Sequence, residues 1–287
     1  MKKDMEFTVR TEGTLLPFLL DCFSGKSRNY VKGILKRGQI TVNGAVCTDY
    51  ALSLHPGQRV NVLMNAAKSE NVLDFPVIYE DDELIVIDKP SGMLSIATDR
   101  ETENTAYHAV TEYMKNRRPP GRVFIVHRLD RDTSGVMLFA KSERIKLALQ
   151  DNWEEIVLRR GYIAVVEGRV TDSDGTIKSW LKQTKTLLVY SSAREDGKPA
   201  VTNYKTLQAS DSCSMLDISL KTGRKNQIRV HMKDIGHPVM GDKKYGARAN
   251  LLGRLGLHAS ELIIRHPVSG DQMQFEAAMP RAFTKAF

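Results

Sequence analysis

Nine consecutive residues, His127-Arg128-Leu129-Asp130-Arg131-Asp132-Thr133-Ser134-Gly135, set two arginines and two aspartates between apolar runs at 123–126 and 136–139. Both runs have the length and the β-branched and aromatic content of buried strands. Charged side chains next to such strands need partners or a wet cleft, because burying a lone charge is costly. The bland alternative is a polar turn, with Asp132 and Ser134 bonding nearby backbone and Gly135 supplying a positive φ. Taken alone, the turn is the simpler reading.

Further apolar runs at 84–87 and 162–166 also suit buried strands, and Leu216, Ile218 and Leu220 alternate with polar residues as in a strand with one wet face. Ser142 can cap a helix that buries Ile145, Leu149 and Trp153. Helices separate these strands too irregularly for repeated βαβ units. The expected fold class is α+β, a large, mixed and mostly antiparallel sheet spanning residues 75–287, with a small domain before it. At 287 residues the chain is long enough for both.

The small domain, expected over 13–64, has its own signals. Leu15, Leu16, Phe18, Leu19, Leu20 and Phe23 suggest a short helix, and a second runs from about Ser27, a plausible N-cap, to Arg37, with Gly38 as its stop. The second helix buries Val31, Ile34 and Leu35 and presents a separate stripe of Arg28, Lys32 and Lys36. Asn43-Gly44 between 39–42 and 45–47 predicts a hairpin. A last strand follows His55-Pro56-Gly57-Gln58, and the polar stretch 65–71 is the linker candidate.

Charge points to a class of partner. The net charge is +8, and residues 13–64 contribute +4 of it, with six basic side chains (Lys26, Arg28, Lys32, Lys36, Arg37, Arg59) against Asp21 and Asp49. A basic unit of this kind favours polyanions, nucleic acid above all, although a charged face often only solvates a helix. No stretch approaches the ~20 apolar residues that cross a bilayer, and the N-terminus lacks a secretory apolar run. Cys22, Cys47 and Cys213 form neither a disulfide framework nor a metal pair. A cytoplasmic location without membrane contact is expected.

Two later blocks change the standing of the first. Thr222-Gly223-Arg224-Lys225-Asn226-Gln227-Ile228-Arg229-Val230-His231 follows the alternating strand and is expected to extend a sheet edge, with Arg224, Arg229 and His231 free to bind phosphate or a carboxylate. Gly236-His237-Pro238-Val239-Met240-Gly241-Asp242-Lys243-Lys244-Tyr245-Gly246 is glycine-rich enough for a ligand to approach the backbone.

At these blocks the chain resembles a known family. Residues 127–135 match every fixed position of H-R-L-D-x-x-T-S-G, the signature of RluA-type pseudouridine synthases. The stretches T-G-R-x-x-Q-I-R-V-H, G-H-P-V-x-G-D-x-x-Y-G, Leu257-His258-Ala259 and His266-Pro267 are similar to the same family in the same order, as are Tyr79-Glu80-Asp81-Asp82 and Asp88-Lys89-Pro90-Ser91-Gly92-Met93. Residues 13–64 resemble, more loosely, the RNA-binding module of a small-subunit ribosomal protein and of tyrosyl-tRNA synthetases. The resemblance implies an RNA-modifying isomerase that needs neither cofactor nor metal and acts as a monomer on ribosomal RNA, or else on transfer RNA. It implies Asp130 as the catalytic carboxylate, either nucleophile at C1′ or base at the 2′ position. It further implies Arg229 as the arginine paired with it and Tyr162 as the tyrosine that stacks on the uracil and takes part in proton removal from C5. Arg128, Arg131 and Arg224 would hold RNA, Arg131 filling the gap left by a flipped base; Arg28, Lys32 and Lys36 would bind RNA from the small domain.

Two stretches depart from the family pattern. Asn226 stands where many relatives carry histidine, and Ser95-Ile96-Ala97-Thr98 replaces a more frequent valine, histidine and proline. Neither is expected to touch Asp130, Arg229 or Tyr162. A phosphate-binding loop at Gly25-Lys26-Ser27 fails because Leu20 occupies its required glycine. No G-x-S-x-G elbow surrounds Ser134, which reads as a structural hydroxyl rather than a nucleophile. The alternatives to an isomerase are a non-catalytic RNA-binding or ribosome-assembly factor that keeps the fold, and a hydrolase that releases free uracil.

Overall fold

The computed structural model describes residues 4–36, 38–63, 73–99, 101–117, 119–192 and 194–287. The chain divides into two compact units, Met1–Val72 and Leu73–Phe287.

In the first unit, strands β1 (Met5–Thr8) and β2 (Gly13–Thr14) precede helices α1 (Leu15–Cys22) and α2 (Arg28–Lys36). Strands β3 (Ile40–Val42), β4 (Ala45–Val46), β5 (Ser53–Leu54) and β6 (Arg59–Val62) follow. The Ser27 hydroxyl accepts from Tyr30 N–H at 3.2 Å and so caps α2. Asn43 and Gly44 both take positive φ, 50° and 85°, as a two-residue hairpin between β3 and β4 requires. β1 lies before the segment expected for this unit, yet it joins the four-stranded sheet β1-β6-β3-β4. Leu15 and Leu19 from α1, Val31, Ile34 and Leu35 from α2, and Ile40, Val60 and Val62 from the sheet form one core. Arg37, the linker candidate 65–71 and the side chain of Lys36 lie outside the described residues.

The second unit is mixed α+β and largely antiparallel. Its elements are β7 (Val77–Glu80), β8 (Leu84–Lys89), α3 (Ala106–Lys115), β9 (Phe124–Ile125), β10 (Ser134–Ala140), α4 (Glu143–Asp151), α5 (Trp153–Ile156) and β11 (Val157–Glu167). Then come β12 (Asp174–Gln183), β13 (Val189–Ser192), β14 (Lys198–Ala209), β15 (Cys213–Leu220), α6 (Gln227–Asp234), β16 (Leu257–Arg265), β17 (Gln272–Glu276) and α7 (Arg281–Thr284). The sheet runs β13-β12-β14-β15-β11-β16-β10-β8-β7, with β17 paired to β16 and β9 to β10.

Period-two burial explains how both faces of this sheet are covered. From β8 and β10, Leu84, Val86, Val136 and Leu138 pack with Ile145 and Leu149 of α4 on one face. The intervening Ile85, Ile87, Met137 and Phe139 pack with Val110 and Met114 of α3 on the other. Ser142 caps α4 by accepting from Ile145 N–H at 3.3 Å.

One pairing among the described strands is parallel and short: Ser134 lies opposite His258 and Gly135 opposite Ala259. Beyond it, β17 takes over the edge of β16 from Glu261 to Arg265. Gly135 has φ +113°, and a Cβ there would collide with the Ala259 carbonyl. The backbones therefore touch at the point where the 127–133 loop enters the sheet.

The segment 222–231 does not extend a sheet edge. β15 ends at Leu220, Asn226 adopts a left-handed φ of 55°, and α6 starts at Gln227. Gln227, Ile228, His231 and Met232 are buried together, which is helical spacing. Asparagine tolerates that backbone conformation better than most residues.

Candidate active site

The loop after β9 brings Asp130 to the wall of a cavity of about 370 Å3, also lined by Tyr162 of β11 and Arg229 of α6. Arg128 and Arg224 line the same cavity; both are exposed, and the Arg224 Nε donates to the Pro199 carbonyl at 3.1 Å. Arg131 is exposed and is not among the lining residues. Arg28 and Lys32 are exposed on α2 of the other unit, where the Lys32 ammonium lies 5.7 Å from the Tyr50 ring centroid.

Arg229 reaches two carboxylates. Its Nη1 lies 3.6 Å from Asp130 Oδ2, an ion pair longer than a hydrogen bond. Its Nε and Nη2 donate to the two oxygens of Asp242 at 2.6 and 2.7 Å, a bidentate pair. The Asp242 side chain is 2% exposed and that of Asp130 23%. Asp130 is therefore the carboxylate that a ligand can reach.

Of the two stretches that depart from the family pattern, Asn226 touches Arg229, against expectation, while Ser95 meets the loop beside Asp130 and none of the three expected catalytic residues. The Asn226 Oδ1 accepts from Arg229 Nη1 at 3.2 Å, and its Nδ2 donates to the Tyr245 hydroxyl at 3.0 Å. The buried Ser95 hydroxyl donates to the Leu129 carbonyl at 2.7 Å and accepts from Leu129 N–H at 3.1 Å. It clamps the loop one residue before Asp130.

Lys89 supports the loop from beneath. It is fully buried, and its ammonium donates to the carbonyls of Pro90, Met93 and Arg131 at 2.9, 2.7 and 3.0 Å. Burial draws it down to about 8, against the pull of Asp132 and Asp130. Its place in Asp88-Lys89-Pro90 was a usable signal; its three carbonyl partners were not readable from spacing.

Tyr162 packs against two apolar clusters, one that contains Leu129 and Ala259 and one that contains Ile228 and Leu257. Burial pushes its phenol up to about 12, Arg160 opposing and Asp130 reinforcing. It is protonated at neutral pH. Arg160, another lining residue, places its guanidinium 6.0 Å from the Trp153 ring centroid and donates to the Leu220 carbonyl at 3.3 Å.

His231 is no ligand for phosphate. It is buried, with Nε2 2.9 Å from the Ser179 hydroxyl and Nδ1 2.8 Å from that of Thr202. Gly241 admits the Arg254 carbonyl, 2.5 Å from where a Cβ would stand, so a backbone crossing requires the glycine. Ser134 Oγ lies 2.7 Å from His258 Nδ1 and accepts from Arg254 Nη2 at 2.7 Å, which ties the loop's end to β16.

Comparison with known proteins gives this arrangement its class. The family model described as RNA pseudouridylate synthase matches residues 83–234. The chain is 34% identical over 272 residues to the uncharacterized RNA pseudouridine synthase YlyB of Bacillus subtilis, covering 92% of this chain and 89% of that one. It is 32% identical over 283 residues to ribosomal large subunit pseudouridine synthase D of Salmonella typhimurium, covering 92% and 86%. Among solved structures it is similar to human RNA Pseudouridylate Synthase Domain Containing 1, at 25% identity and a TM-score of 0.57, over 72% of this chain and 84% of that one. The chain belongs to the RNA pseudouridine synthase family, isomerases that convert uridine to pseudouridine in RNA.

Proposed function

We propose that this chain isomerises a uridine of ribosomal RNA, with Asp130 as the essential carboxylate and the unit 13–64 as a separate RNA-binding module. The single observation that carries the reading is the partly exposed Asp130 carboxylate opening into a cavity walled by Tyr162, with the Arg229 guanidinium 3.6 Å away. A cavity of about 370 Å3 is at the lower end of ligand pockets and suits a flipped nucleotide. The name of the Salmonella typhimurium relative favours large-subunit ribosomal RNA over transfer RNA.

In this reading Asp130 acts on the ribose, as nucleophile at C1′ or base at the 2′ position, and the N1–C1′ bond breaks. The freed uracil turns against the Tyr162 ring, C5 bonds to C1′, the C5 proton leaves and N1 gains one. Because Tyr162 is protonated at rest, its oxygen can accept that proton only as phenolate, and Arg160 is the neighbouring charge that favours phenolate. Arg128 and Arg224 hold RNA backbone at the cavity, Arg131 occupies the place of the flipped base, and Arg28, Lys32 and Lys36 add contacts from the small unit. The protein works as a cytoplasmic monomer. Among the described residues, no helix is long and apolar enough to cross a membrane.

Pseudouridine mapping of total RNA, with and without the gene, tests the proposal. One site missing from large-subunit ribosomal RNA is the expected result. A missing site in transfer RNA alone would correct the substrate. An unchanged map would favour a binding-only factor, and free uracil released from RNA by the purified protein would favour a hydrolase.

A further inference from the structure

Every side of the Arg229 guanidinium is held by something other than Asp130. Asp242 takes Nε and Nη2, Asn226 takes Nη1, and the Tyr245 ring centroid lies 5.0 Å from the guanidinium carbon. Asn226 and Tyr245 are themselves hydrogen-bonded to each other. Asp130 receives charge at 3.6 Å but no hydrogen bond from Arg229.

We infer that Asp242 is a positioning residue for the isomerisation: it fixes Arg229 beside Asp130 while keeping the arginine from locking onto that carboxylate. The inference rests on the isomerase reading of Asp130. A bidentate Arg229–Asp130 pair would occupy both carboxylate oxygens and weaken them as nucleophile or base. With two of its N–H groups committed to Asp242, the arginine holds its charge 3.6 Å from Asp130 and leaves an oxygen for the substrate. Orientation of this kind governs rate, and an error of about 1 Å can cost on the order of 100-fold. The competing explanation is that Asp242 merely neutralises a buried arginine, since leaving either partner unpaired is strongly destabilising.

The test compares wild type, Asp242→Asn and Asp242→Glu. The probe is a large-subunit ribosomal RNA transcript tritiated at uridine C5, with transfer RNA and small-subunit transcripts as further substrates. Rates are expressed per folded enzyme, from melting curves taken in the assay buffer. Asparagine offers one acceptor oxygen and no charge where aspartate offers two oxygens and a charge, and glutamate keeps the charge but displaces the guanidinium by a methylene. Each substitution is expected to lower kcat about 10-fold to 100-fold with KM changed less than about threefold. In an Arg229→Lys background, Asp242→Asn should add less than about a threefold further loss, because the two residues act as one unit. A kcat per folded molecule near wild type for either variant, or fully additive losses, would overturn the inference. If Asp242→Asn does not fold, Asp242→Glu decides it alone. If wild type releases no tritium from any of the three RNAs, the isomerase reading fails and takes the inference with it. An active wild type with additive losses removes the inference only.

Discussion

Ser95 and Leu129 are 34 residues apart, and their paired hydrogen bonds fix the backbone immediately before Asp130. Replacing Ser95 by alanine leaves a buried N–H and a buried carbonyl of Leu129 without that partner, a loss of about 1–3 kcal/mol. Thermal melting should show the lowered Tm, and the rate should fall with it; an unchanged Tm would mean that the clamp contributes nothing. Lys89→Met removes three donors at once and should destabilise more than Ser95→Ala in the same melting experiment. At this scale, the structure brings together the three residues expected from the motifs at the site: Asp130, Tyr162 and Arg229 all line one cavity. Their supports were not legible in advance. Asn226 and Ser95 looked peripheral because contacts across the fold leave no trace in local periodicity, and Asp242 was only one acid in a glycine-rich block.

At the scale of elements, the short parallel junction of β10 and β16 places the loop. Gly135→Ala would force a Cβ into the Ala259 carbonyl at a positive φ, so that variant should fail to fold or melt far below wild type by circular dichroism. Half-buried His127 and buried His231 give the fold a pH dependence. Burial draws His127 and His231 down to about 4, with Arg160 adding to the effect at His127 and Asp234 opposing it at His231. The His127 Nε2 accepts from Leu138 N–H at 3.0 Å, which requires a neutral ring. Between about pH 6.5 and pH 4 the unfolded chain binds protons that the folded chain excludes, so stability falls as pH is lowered through that window. Tm should drop from pH 7 to pH 5; a flat Tm would contradict the neutral assignment. Strands with strict alternation or long apolar runs were readable in advance. α6 was not, because Ile228 and Val230 alternate with polar neighbours, and over so few residues a period of two cannot be separated from 3.6. The left-handed Asn226 is the local signal that a helix begins.

On the scale of the whole molecule, two units share the proposed work: one carries the cavity, and the other presents Arg28 and Lys32 on an exposed helix face. Reversing both charges, Arg28→Glu with Lys32→Glu, should weaken RNA binding and flatten the log–log salt dependence by about 1–2. Filter binding across a salt series reads this, and an unaltered slope would assign the stripe to solvation alone. Composition made the two-part organisation visible. It did not reveal β1, whose four residues give too little pattern to separate from an irregular terminus. The most direct measurement of the central claim is pseudouridine formation by Asp130→Asn, with RNA affinity measured on the same protein. Loss of all isomerisation with Kd nearly unchanged is the predicted result; pseudouridine still formed by that variant would contradict the assignment of Asp130.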